Sequence, residues 1–197
     1  KAAGVGAGSI SWLKFAASTQ EAGVPYNKMK IVNMVGGGAN YTRALQDKQI
    51  DMAVVWQPFC AQAVLDGYAQ YPTVDHNKSK MVGGPVNKAF LDKNPDAVQR
   101  LVNVYYETMQ RFRNDRPRWA AAFAEKSGLP PNVAAEAISR TNLDETLPLQ
   151  AIKRVTKYLA ENGIVQRDVS GDLDQYFNYT FLSKATGKTP DQLGRNQ

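Results

Sequence analysis

Apolar positions in the first third of the chain come in three short runs, each followed by a turn and then a segment with helical spacing. "AAGVGAG" is a short apolar run ending in glycines. "MKIVNMV" is a second run, closed by "GGGAN". "DMAVVW" is a third, nearly continuous run, as expected for a strand covered on both faces. Between them, "SISWLKFAASTQEAG" carries an apolar stripe at Leu13, Ala16 and Ala17, with Ser9 or Ser11 as N-cap and Gly23 as a stop. "YTRALQDKQ" and "QPFCAQAVLDG" are helical in the same sense, Pro58 suiting a first turn. The alternation predicts an α/β arrangement with parallel strands at Ala2–Val5, Lys30–Val35 and Met52–Trp56.

The pattern changes near Lys78 to Gly84. After a short strand and turn in "SKMVGGPVNKAFLDKN", the spacing is helical almost to the end. "NPDAVQRLVNVYYETMQRFRND" has apolar positions at Val98, Leu101, Val102, Tyr105 and Met109. "RPRWAAAFAEKSG", "PPNVAAEAISR", "LPLQAIKRVTKYLAENG" and "DLDQYFNYTFLSKATG" read as further helices. No internal repeat or low-complexity tract is present. The expected division is an α/β body over 1–80 and a helical body over 81–197.

Composition narrows the chemistry. One cysteine, Cys60, and one histidine, His76, leave no intrachain disulfide and no zinc site of the usual ligand sets. A nucleophilic triad would need His76, which lies in the polar loop "TVDHNKSK". Cys60 opens an apolar helix, where a small buried residue is the ordinary role. The net charge is +6, but the bases are dispersed. The densest cluster, Arg111 to Arg118, falls at a helix end, where cations complement the helix dipole, so no nucleic-acid partner is expected. No window approaches the run of about 20 apolar residues that spans a membrane.

Candidate binding residues gather at the expected strand ends. Glycines at Gly6 and Gly8 let backbone N–H groups approach a ligand. Ser9 and Ser11 add hydroxyls, and Gly8, Ser9, Ile10 and Ser11 together would form a helix N-terminus facing an anion. The spacing is neither a P-loop nor a dinucleotide fingerprint, and a Ser-capped turn is the structural alternative. Asn40 sits in the second turn, as a ligand contact or a helix cap. Trp56 and Gln57 follow the third strand, offering an apolar wall and an amide, or a Trp buried under the next helix. Trp12 and Tyr41 are the other aromatics within reach.

The runs "GVGAGS", "ALQDKQIDMAVVWQPFCAQAV" and "GGPVNKAFLDKNPDAVQRLVNVYYETMQ" resemble the second lobe and returning segment of the periplasmic solute-binding proteins of nitrate, sulfonate and taurine importers, relatives of the thiamine-precursor binding group. The resemblance implies a periplasmic-binding-protein-like (type II) fold of two α/β lobes. Residues 1–80 would be the second lobe and 81–197 the returning helical part of the first, whose N-terminal part is missing. It implies a receptor rather than an enzyme, with no cofactor. It would be periplasmic, or extracellular and membrane-tethered, holding a small anionic or polar ligand and delivering it to an ABC importer permease. Relatives often carry an acidic residue where Gln57 stands, which weighs against an amine-bearing ligand. The other readings are a pyrimidine-precursor synthase, against which the single His and Cys argue, and the effector-sensing domain of a transcription regulator.

Overall fold

The computed structural model describes residues 2–6, 11–12, 15, 19, 23–24, 28–34, 36–71, 84–161, 163 and 166–197. They divide into two compact units, residues 1–78 with 115–142, and residues 79–114 with 143–197.

The first unit holds a parallel three-stranded sheet, β1 (Ala2–Val5), β2 (Lys30–Asn33) and β3 (Met52–Ala53), in the order β2-β1-β3. Ala3 pairs with Ile31 on one side and Met52 on the other. Buried Gly4 is what the central strand requires: a Cβ there would meet Ile50 Cδ1 and Met34 Sδ at 2.6 Å each. All three strands fall within the expected segments, but β3 is shorter and differs in kind. It ends at Ala53, with one more ladder bond from Val54 N–H to the Gly4 carbonyl, and lies at the edge of the described sheet with Met52 41% exposed. The apolar run Met52–Trp56 is therefore not a strand covered on both faces. Its last residues turn away into the next helix.

Ala44 of helix α1 (Gly38–Gln46) and Ile50, in the turn that follows it, pack together with Val32, Met34 and Ala53. The preceding glycines are required by the turn, since Gly36 and Gly37 have φ of +96° and +83°, a region costly for other residues. Helix α2 (Phe59–Leu65) buries Ala61 and Ala63. After it in the fold of this unit come α5 (Arg116–Ser127) and α6 (Pro131–Ser139), which follow α3 (Lys88–Lys93) and α4 (Pro95–Asn114) in the chain. Ala61 of α2 is packed with Val133 and Ala137 of α6, beside Phe123 and Leu129. Small side chains on both helices permit this close approach, so Asp115–Asn142 joins the first unit, whereas the sequence division placed all of 81–197 in one body.

The second unit contains α3, α4, α7 (Leu149–Glu161), a 3₁₀ turn over Ser170–Tyr176 and α8 (Thr180–Thr186). The expected single helix over "DLDQYFNYTFLSKATG" is broken. Phe177 is extended, and the Asn178 side chain accepts from the Thr180 N–H at 2.9 Å, starting a new helix. Leu149 and Leu193 are fully buried where the C-terminal turn pairs with the entry to α7: Leu147 N–H to the Leu193 carbonyl at 2.7 Å, and Leu149 N–H to the Gly194 carbonyl at 3.1 Å.

The basic cluster Arg111–Arg118 is more than a solvated helix end. Arg113 bonds the Glu145 carboxylate at 2.5 Å and the Leu143 carbonyl at 3.0 Å. Arg116 donates to the carbonyls of Ile138 at 2.7 Å and Thr141 at 2.8 Å, closing the C-terminus of α6.

Candidate functional site

Because β1, β2 and β3 are parallel, their C-terminal ends lie along one edge of the sheet, where open α/β sheets collect ligands. The segments leaving that edge carry the candidate residues. Gly8, Ser9 and Ile10 lie outside the described residues, as do His76 and the strand expected near Met81. Ser11 is half-buried with helical backbone, so it is not itself an N-cap. Trp12 and Phe15, also with helical backbone, are each 8% exposed and belong to the core.

Asn40 is not the cap of α1. The helix starts two residues earlier, with Gly37 at the N-cap and no side-chain cap bond, and the Asn40 N–H reaches the Gly37 carbonyl at 3.2 Å. Its exposed side chain lies over Gly36, whose added Cβ would come within 2.2 Å of the amide nitrogen. Tyr41 is buried, and its hydroxyl donates to the Met34 carbonyl at 2.7 Å, tying the first turn of α1 to the end of β2. It is therefore part of the scaffold rather than a ligand wall.

Trp56 is the exposed aromatic at this edge. The residue is 53% exposed, and its ring meets Phe59 edge to face, with centroids 6.1 Å apart at 82°. Phe59 in turn lies directly on Gly38, where a Cβ would meet its ring at 2.1 Å. One ring thus couples Trp56 to the glycine turn that opens α1. Gln57, joined to Pro58 by a cis peptide bond, faces inward. Its oxygen accepts the Ala61 N–H at 3.1 Å, and its amide nitrogen donates to the Tyr71 hydroxyl at 3.4 Å. Burial raises the pKa of Tyr71, and the Arg140 guanidinium lies 4.1 Å from the centre of its ring. Sequence reasoning missed this Gln57–Tyr71–Arg140 brace, because its members are distant in the chain and lack a common motif.

The Cys60 thiol points to the Val55 carbonyl at 3.2 Å, and burial pushes its pKa up, away from thiolate character. Among the described residues no group of three or more His, Cys, Asp or Glu is placed to hold a metal ion, and no helix is long and apolar enough to cross a membrane.

The sequence matches no family model and no curated protein. Its fold is matched by solved structures. The periplasmic aliphatic sulphonate binding protein SsuA from Escherichia coli aligns with a TM-score of 0.74 and 19% identity, over 90% of this chain and 58% of that one. The alkanesulfonate-binding protein SsuA from Xanthomonas axonopodis pv. citri, bound to MOPS, aligns with a TM-score of 0.69 and 18% identity, over 82% of this chain and 57% of that one. Both neighbours are binding proteins rather than enzymes. The shared feature is the fold, and the chain spans just under three fifths of the length of each neighbour.

Proposed function

We propose that this chain is the C-terminal portion of a type II solute-binding receptor of an ABC importer. In this reading residues 1–80 contribute the second lobe and 81–197 the returning part of the first, apart from the α5–α6 segment that packs with the first unit. A small anionic or polar ligand, such as a sulfonate, nitrate or carboxylate, is captured between the two lobes in the periplasm and passed to a membrane permease, without turnover.

The observation that carries this reading is the common edge of three parallel strand ends, where a glycine-opened helix and the half-exposed ring of Trp56 are joined through Phe59. Backbone N–H groups and hydroxyls hold an oxyanion without a formal positive charge, which suits a protein that must release its cargo. The sulfonate-binding neighbours favour an alkanesulfonate among these anions.

Isothermal titration of the complete receptor with alkanesulfonates, taurine, nitrate and short carboxylates tests the proposal. The expected result is saturable binding of one class, weakened by roughly 1–3 kcal/mol for each lost hydrogen bond in a Ser9→Ala/Ser11→Ala variant that still folds. Absence of binding across the panel overturns the ligand class. Unchanged affinity in the variant places the site away from the first glycine turn.

A further inference from the structure

The second unit carries a cleft of about 560 Å³ whose lining shares no residue with the strand-end site of the first unit. Its apolar lining comes from Leu149, Phe177 and Pro190. The segments around it are tied to one another. The Arg195 N–H reaches the Pro190 carbonyl at 3.0 Å, and the Tyr179 hydroxyl donates to the Leu147 carbonyl at 2.6 Å. Lys184 and Arg195 also line the cleft, and among the described residues neither side chain is drawn into an ion pair or a hydrogen bond. Lys153 and Lys188 of the same unit are each spent on a carboxylate. Asp174, the acid of this lining, is the group that holds Lys153, so its charge is already matched and the other two cations are in excess.

Neutral donors stand beside these charges. The Asn178 side-chain oxygen is taken by the Thr180 N–H, which leaves its amide N–H groups unused. Ser183 lines the cleft, and its hydroxyl oxygen is buried with no hydrogen-bond partner. Thr186 and Ser127 return their hydroxyls to the carbonyl one helical turn back, at 2.8 Å and 2.5 Å, and Ser183 does not. A buried hydroxyl left unpaired costs stability, and a change of χ1 is enough to turn it to a new partner. We infer that this cleft binds a small organic dianion, a phosphomonoester or a dicarboxylate, with its charges at Lys184 and Arg195 and its carbon skeleton against Leu149 and Pro190. Two unspent cations match two negative charges, and Asn178 and Ser183 bond the remaining oxygens. The volume suits a metabolite rather than a bare ion. The inference does not depend on the receptor reading, whose transported ligand sits at the strand ends.

Isothermal titration of the full-length protein with glycerol 3-phosphate and with succinate tests it, with glycerol and sodium sulfate as controls. The expected result is saturable one-to-one binding of at least one of the two dianions and none of glycerol. Whichever dianion binds identifies the acid group. Lys184→Gln and Arg195→Gln should each weaken binding about tenfold, the size of a lost charge-assisted bond, with Tm unchanged because both side chains are exposed. Should one of them not fold, the other carries the readout. Ser183→Ala should weaken binding several-fold while its Tm stays equal or rises, since an unsatisfied buried hydroxyl is removed.

Absence of saturable binding for both dianions overturns the inference. So does sulfate binding of equal affinity, which would show attraction for any anion only, or an affinity that neither charge variant changes. A loss of dianion binding in Trp56→Ala overturns it as well, because the probe would then sit at the strand-end site.

Discussion

The side-chain oxygen of Gln57 accepts the backbone N–H of Ala61 at 3.1 Å, one helical turn ahead. A residue that reads as a ligand contact is thereby tied to the N-terminus of its own helix. It satisfies one of the donors that a helix start leaves open, while its amide nitrogen reaches Tyr71 at 3.4 Å. Gln57 therefore positions the segment that presents Trp56, and its neighbour is the better candidate for direct contact.

Removing that acceptor should destabilise α2. Gln57→Leu is expected to cost about 1 kcal/mol, the usual value of a lost helix-cap acceptor, whereas Gln57→Glu should retain most of the stability, because a carboxylate also accepts and suits the helix N-terminus. Urea denaturation of the three proteins checks this. Equal midpoints for Gln57→Leu and wild type would show that the bond contributes nothing.

Gly38 tests the contact between α1 and Phe59. An alanine there would bring its Cβ to 2.1 Å from the Phe59 ring, so the ring must move. Gly38→Ala is expected to destabilise by roughly 1–3 kcal/mol, although alanine is the better helix former. Phe59→Leu in the same background should recover part of that loss. A Gly38→Ala protein as stable as wild type would mean that the turn relaxes freely.

Glu145 is held by two cations within the second unit. Burial pushes its pKa up, but hydrogen bonds from Lys188 and Arg113, both at 2.5 Å, more than offset this and hold it at about 2. Its folded value lies below the unfolded value of about 4.3, so its contribution is complete above that pH and is lost as pH falls toward about 2. Tm measured across this window should drop steeply in the wild type. Glu145→Gln should show a shallower drop and a lower Tm at neutral pH, because two cations lose their counterion. Parallel acid profiles would contradict the assignment.

Trp56 separates binding from folding. Half exposed and held by one edge-to-face contact, it should be replaceable by alanine with a stability change of about 1 kcal/mol or less. In the complete receptor, Trp56→Ala should weaken binding of the preferred anion by roughly 0.5–1.5 kcal/mol, the range of an aromatic contact. Titration calorimetry with wild type alongside measures it, and an unchanged affinity would remove Trp56 from the site.

By itself, the sequence determined what depends on near neighbours. The three parallel strands, the start of α4 at Pro95 and the stop at Gly128 all follow from local periodicity, fixed proline φ and a residue able to take φ of +70°. The glycine run before α1 was equally legible as a turn, because only glycine tolerates its dihedral angles. Tertiary structure decided the rest, since identical local patterns have more than one use until a partner arrives. "MAVVW" is apolar enough for a covered strand, yet only Met52–Ala53 pairs, and Trp56 swings out against Phe59. Gln57 has the chemistry of a ligand contact, but Ala61 and Tyr71 reach it first. Arg113 and Arg116 look alike within one basic cluster, yet one meets Glu145 and the other the carbonyls that end α6. These partners lie 22 to 32 residues away along the chain. Neither periodicity nor propensity carries information at that distance, and burial and hydrogen-bond pairing in the folded units made those choices.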